Sequence, residues 1–155
     1  MIRIIIDTRE QTPWAFDAGN AQTEIGTIKT GDYALFGDAD NFAIERKSLN
    51  DFLGTISSGW ERFMREIGRM DNFVAKVIIV EGDYEQVCFR EIDGEIKPPE
   101  HDHPRLYPAF INKRIAELSL MGVAVIFAGN SEYASALALA IFRERAKEID
   151  DETRS

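Results

Sequence analysis

Two nearly unbroken apolar runs constrain this fold most: Val74-Ala75-Lys76-Val77-Ile78-Ile79-Val80 and Val123-Ala124-Val125-Ile126-Phe127. A strand wetted on one face alternates apolar and polar residues, whereas a strand covered on both faces does not. Apolar residues at helical spacing surround the runs. Trp60, Phe63, Met64, Ile67 and Met70 precede the first, and Ile111, Ile115, Leu118 and Met121 precede the second. After the second come Ala134, Leu137, Ala138, Ile141 and Phe142, in a helix from about Ser131. Helices alternating with covered strands predict an α/β layered domain with a mixed central sheet and helices on both faces.

The first part of the chain is richer in strand signals. Residues 2–6 read as a strand, broken by Gln11-Thr12-Pro13-Trp14, and residues 23–29 as a second. Tyr33–Phe36 and Phe42–Arg46, separated by a turn at Gly37–Asn41, read as a hairpin. Ser48 fits a helix N-cap with Asp51 at its third position, and Ser58 with Glu61 repeats the arrangement. Residues 83–90 read as a short helix, and 93–108, with Gly94 and four prolines, as a loop. Gly122 marks a helix C-terminus. Residues 1–149 are expected to form one domain, with 150–155 an acidic, frayed tail.

A chain of 155 residues can bury roughly two-thirds of its unfolded surface. No run approaches the roughly 18 apolar residues of a membrane span, and Met1–Asp7 lacks the features of a secretory signal. The single cysteine, Cys88, read as a small buried residue, permits no intrachain disulfide. A soluble, intracellular protein is expected. The formal charge of −9 argues against a nonspecific nucleic-acid coat, which needs clustered Lys and Arg. It leaves room for a nuclease, whose metal-binding carboxylates add negative charge that the metal inverts locally.

The segment that carries chemistry is Gly31-Asp32, then Glu45-Arg46-Lys47, then Asp51. Phosphodiester hydrolysis calls for a hard cation held by oxygen ligands, and a lysine beside it to orient water or meet developing negative charge. Asp32 opens one arm of the hairpin and Glu45 ends the other, so the two are neighbours. Lys47, two residues on, shares the face of Glu45, while Arg46 points to the opposite face, toward an acid.

These residues resemble the nuclease domain of the XPF family of structure-specific endonucleases, within the PD-(D/E)xK superfamily. The family signature is Gly-Asp, a variable gap, Glu-Arg-Lys, three residues and Asp. Asp7-Thr8-Arg9-Glu10 matches its opening strand end, and Val77–Gly82 its hydrophobic strand. The resemblance spans about residues 2–142. It implies a restriction-endonuclease-like core that cuts branched, flap or fork DNA in repair, recombination or replication, with Mg²⁺ as cofactor and Mn²⁺ as a substitute. It implies Asp32, Glu45 and Asp7 as metal ligands, Lys47 as the catalytic lysine, and Arg46 in the catalytic set. Arg9, Glu10 and Asp51 support the site.

Gly59 and the stripe Arg62, Arg65 and Arg69 are candidate DNA contacts, although a solvated charged face with Glu61 and Glu66 fits the same residues. Asp51 fits a helix cap equally well. His101-Asp102-His103 is read as a solvated loop rather than a second metal site. The helix-hairpin-helix module common in the family is not seen in these residues, so a homodimer or partner protein is expected to supply DNA affinity, and a phage or prokaryotic origin fits. The main competing reading is a non-catalytic DNA- or protein-binding module on a nuclease scaffold. An RNA or single-strand nuclease is a third.

Overall fold

The computed structural model, which describes residues 1–87, 90–97, 103 and 106–155, explains the unbroken apolar runs. Val77 and Ile79 pack into one core, and Ile78 and Val80 into another. Four neighbours in sequence thus serve two cores, and no position is left for a polar residue. Ile78, Ile79 and Val80 are completely buried, each stabilising the fold by about 1.5–3 kcal/mol.

The strands are β1 (Ile2–Asp7), β2 (Ala21–Gly26), β3 (Tyr33–Leu35), β4 (Ile44–Ser48), β5 (Lys76–Glu81), β6 (Arg90–Ile92), β7 (Glu95–Lys97) and β8 (Val123–Phe127). The helices are α1 (Leu49–Ile56), α2 (Trp60–Gly68), α3 (Pro108–Leu120) and α4 (Ser131–Arg154). Six strands form one sheet in the order β2-β1-β3-β4-β5-β8. The pairs β1–β3 and β3–β4 are antiparallel; β1–β2, β4–β5 and β5–β8 are parallel. Helix α4 covers one face through Ala134, Ala138 and Phe142, and α1, α2 and α3 cover the other through Phe52, Leu53, Phe63 and Leu118. The expected mixed sheet with helices on both faces is what forms.

Local expectations divide. Ser48 caps α1 by accepting from the Asp51 N–H at 3.1 Å. The N-cap of α2 is Gly59, not Ser58, and no side chain caps it. The link from α1 is tight: a Cβ on Gly59 would lie 3.2 Å from the Gly54 carbonyl oxygen and from Thr55 Cα, so a side chain there would need its neighbours to give by a few tenths of an ångström. The second strand begins at Ala21, earlier than expected, and pairs parallel to β1 from Ile2–Ala21 to Asp7–Gly26. As an exposed edge strand it carries little alternation for a sequence reading to detect.

Where one helix is expected over 83–90, a single 3₁₀ turn (Tyr84–Gln86) is followed by β6. The loop expected from residue 93 begins instead with a hairpin, β6–β7, turned by Asp93 and Gly94 at φ 53° and 78°. Asp-Gly is the pair that such a turn favours. The Cys88 reading and the prolines at 98, 99 and 104 lie outside the described residues. Helix α4 continues to Arg154 where a frayed tail is expected; no helix breaker intervenes, and the Thr153 hydroxyl donates back to the Ile149 carbonyl. Among the described residues no helix is long and apolar enough to cross a membrane.

Candidate active site

The site is built where the end of β1 meets the start of β3 and the first residues of β4. The Asp7 N–H donates to the Asp32 carbonyl at 2.9 Å, and the Asp32 N–H donates to the Ile44 carbonyl at 2.9 Å. The Arg46 backbone N–H donates to Asp32 Oδ2 at 2.7 Å and fixes the carboxylate next to Glu45. Gly31 makes this approach possible: its φ is +100°, and a Cβ there would lie 2.5 Å from Ala43 Cβ.

Glu45 is buried without a charge partner that compensates it. It is 6 % exposed, and no donor among the described residues reaches its buried Oε2. Burial, with the Asp32 carboxyl beside it and then that of Glu66, pushes its pKa up to about 10. Asp32 is also raised, chiefly by burial, against the pull of the Arg46 N–H. Lys47 lies close enough to both carboxyls to favour their charged forms.

Arg9, Glu45, Lys47, Asp51, Gly59 and Arg62 line one open cleft of about 900 Å³ between β4 and α1–α2. Asp32 sits behind Glu45 and does not itself form the wall. Arg65 and Arg69 are exposed on α2 but do not line the cleft, because only part of the expected stripe faces it. Of the lining residues that the sequence does not mark as site members, Glu66 and His103 are the ionisable ones. Glu66 stands against Glu45, and its one legible signal was its helical spacing of four from Arg62. His103 accompanies them, its Nε2 3.0 Å from the Asn50 carbonyl oxygen. No spacing rule brings residue 103 to α1, and residues 101 and 102 lie outside the described set.

Asp7 and Arg46, two other expected site residues, are not among the residues that line this cleft. Asp7 was expected as a metal ligand, but its Oδ1 accepts from the Ile28 N–H at 2.9 Å and its Oδ2 from Arg9. Burial alone would raise its pKa; the Arg9 guanidinium and these N–H donors outweigh it and hold it low. Asp7 therefore anchors Arg9 at the cleft, with the Arg9 side chain 68 % exposed.

Arg46 was expected in the catalytic set. It lies on the other face of β4, as its alternation with Glu45 requires, in an ion pair with Glu81 and a 3.1 Å bond to Glu10. It also donates to the Thr12 carbonyl and the Tyr33 hydroxyl, beneath Trp14. Glu10 accepts from Tyr33 at 2.8 Å in the same network. Arg46 and Glu10 thus tie β4 to β3 and to the segment after β1.

A divalent cation fits this donor set. Among the described residues no three His, Cys, Asp or Glu side chains are arranged as a cage for a metal. What exists is a carboxylate pair, Asp32 and Glu45, with one buried oxygen lacking any donor. Mg²⁺ commonly binds through one or two carboxylates and keeps its remaining waters.

The sequence pattern of the ERCC4 domain matches residues 6–140. An inferred ATP-dependent RNA helicase of Methanocaldococcus jannaschii is 26 % identical over 149 residues, covering 95 % of this chain and 16 % of that protein. XPF from Aeropyrum pernix has a similar fold, with TM-score 0.64 and 19 % identity over 92 % of this chain and 61 % of that one. Its complex with DNA gives TM-score 0.68 and 19 % identity over 96 % and 66 %. This chain therefore spans about a sixth of the helicase and less than two-thirds of either XPF chain.

Proposed function

The chain belongs to the ERCC4 domain family, and from that premise we propose that it is a divalent-metal-dependent DNA endonuclease. Its substrate would be branched, flap or fork DNA met in repair, recombination or replication. The observation that carries this reading is Glu45: a buried carboxyl, one oxygen without a donor, beside Asp32 and Lys47 at the floor of a cationic-rimmed cleft. A fold does not keep such a group for stability, since burying it uncompensated is costly.

Asp32 and Glu45 would hold the cation, Mg²⁺ or its substitute Mn²⁺. Bound there, the ion would polarise the phosphate and make its water more acidic. Lys47, on the same strand face as Glu45, would orient the attacking water and meet negative charge on the phosphate. Arg62, with the close-packed backbone at Gly59, would hold the strand across the cleft. Arg9, anchored by Asp7, would add charge at the rim. The DNA-bound XPF neighbour supports DNA as the substrate class, and the RNA named for the helicase relative makes RNA a necessary comparison. A second copy or a partner protein would supplement the few cations of the cleft.

The test is cleavage of labelled single strand, duplex, splayed fork, flap and junction, and their RNA counterparts, with Mg²⁺, Mn²⁺ or EDTA. Metal-dependent cutting of forks or flaps is expected, reduced at least about 100-fold in Asp32→Asn and in Lys47→Ala. Variants that cut as fast as the wild type would refute the assigned site. A folded wild type that cuts nothing would make the chain a binding module.

A further inference from the structure

Glu66 has the features of a site residue that no motif assigns. It lies on α2 at a spacing of three and four with Gly59 and Arg62, and all three line the cleft. Phe63 and Ile67, on either side of it in the sequence, are buried in the core, so Glu66 is held on the shoulder between core and cleft. Its carboxyl stands within hydrogen-bonding reach of Glu45. No Lys or Arg among the described residues pairs with it, although Arg62 and Arg65 flank it on the same helix.

Asp32 and Glu66 therefore each stand beside Glu45, which is buried with its Oε2 bare. Carboxyls so placed repel one another when ionised, and neither helix nor strand needs them there. They are compensated if a cation sits at Glu45. Mg²⁺ keeps several of its waters, and those waters donate hydrogen bonds outward. A carboxylate beside the inner ligands is the acceptor such waters need.

We infer that Glu66 is the third carboxylate of the cation site, gripping the ion through one of its waters while Asp32 and Glu45 bind it directly. This rests on the reading of Asp32 and Glu45 as the metal-binding pair. It also accounts for the lack of a closed three-ligand cage, because a water fills the gap between Glu66 and the ion. Glu66 is a positioning residue: it orients the hydrated cation and the water that Lys47 is placed to meet.

The test is Mn²⁺ binding to the purified full chain by titration calorimetry, without nucleic acid, for wild type, Glu45→Gln, Glu66→Gln and Glu66→Asp. Loss of a metal's outer partner weakens binding about 10–100-fold, and that is the drop expected for Glu66→Gln. Glu66→Asp, which keeps the carboxylate charge, is expected to recover part of it. Thermal melting in EDTA checks that each variant is folded. If Glu66→Gln does not fold, Glu66→Ala replaces it, and wild-type affinity there overturns the inference. Undiminished Mn²⁺ affinity in Glu66→Gln, with a clear loss in Glu45→Gln, removes Glu66 from the site and leaves the metal-binding pair standing. A wild type that binds no Mn²⁺ overturns both.

Discussion

Without a cation, the buried Glu45 carboxyl is most comfortable protonated. Its pKa rises on folding from 4.5 to about 10, first through burial and then through its acidic neighbours. Between those values the folded chain holds a proton that the unfolded chain has released, so raising the pH favours unfolding. The stabilisation is fully present below the unfolded value and is lost as pH climbs through the folded one. Asp32, also raised, acts in the same direction; Asp7, held low, matters only near the acid end. In EDTA, the urea midpoint of the wild type should therefore fall between about pH 6 and about pH 9. Glu45→Gln should flatten that slope, and added Mn²⁺ should restore the midpoint at the alkaline end. A wild-type midpoint that rises with pH in EDTA would mean that Glu45 is ionised without metal.

Elements hold these residues in place through two ion-pair networks. One is Arg46 with Glu10, Glu81 and Tyr33, behind the site. The other joins α4 to the turn between β3 and β4: Arg145 Nε and Nη2 donate to Asp38 Oδ2 and Oδ1 at 2.8 and 2.9 Å. Both side chains are nearly inaccessible, at 7 % and 6 %. Removing one partner leaves the other buried and unpaired, so Arg145→Ala should cost about 3–5 kcal/mol in urea unfolding. The double variant Arg145→Met with Asp38→Leu should recover most of that loss. A single variant as stable as wild type would show that solvent reaches Asp38.

This contrast marks what a sequence makes legible. Asp32, Glu45 and Lys47 could be read because a hairpin and strand alternation are local rules, and those rules also put Arg46 on the far face. The covered strand β5 was legible from its apolar run, whereas β8, read the same way, is an edge strand with Ala124 exposed and Val125, Ile126 and Phe127 half-buried. Asp38 with Arg145, and Glu66 with Glu45, meet only through packing of distant elements. No spacing encodes them. Parallel pairing of β2 with β1 was hidden for the same reason.

At the scale of the whole molecule, the charge of −9 sets how DNA can be held. Most of the surface repels phosphate, so attraction must be concentrated at the cleft, where Arg9, Lys47 and Arg62 are the Lys and Arg residues among those described that line it. Three phosphate contacts release about three counterions, which gives a slope of roughly −2.7 for log affinity against log salt on duplex DNA. Raising salt from about 50 to about 200 mM should then weaken binding only about 40-fold, far less than for a basic DNA-binding domain. Arg62→Ala should make the slope shallower by about 1. Arg65→Ala and Arg69→Ala should leave it unchanged, because those side chains do not line the cleft. Fluorescence anisotropy with a labelled fork, in Ca²⁺ to prevent cutting, measures all three. A slope that responds equally to Arg62, Arg65 and Arg69 would mean that DNA lies along the whole exposed face of α2 and that the cleft is not its track.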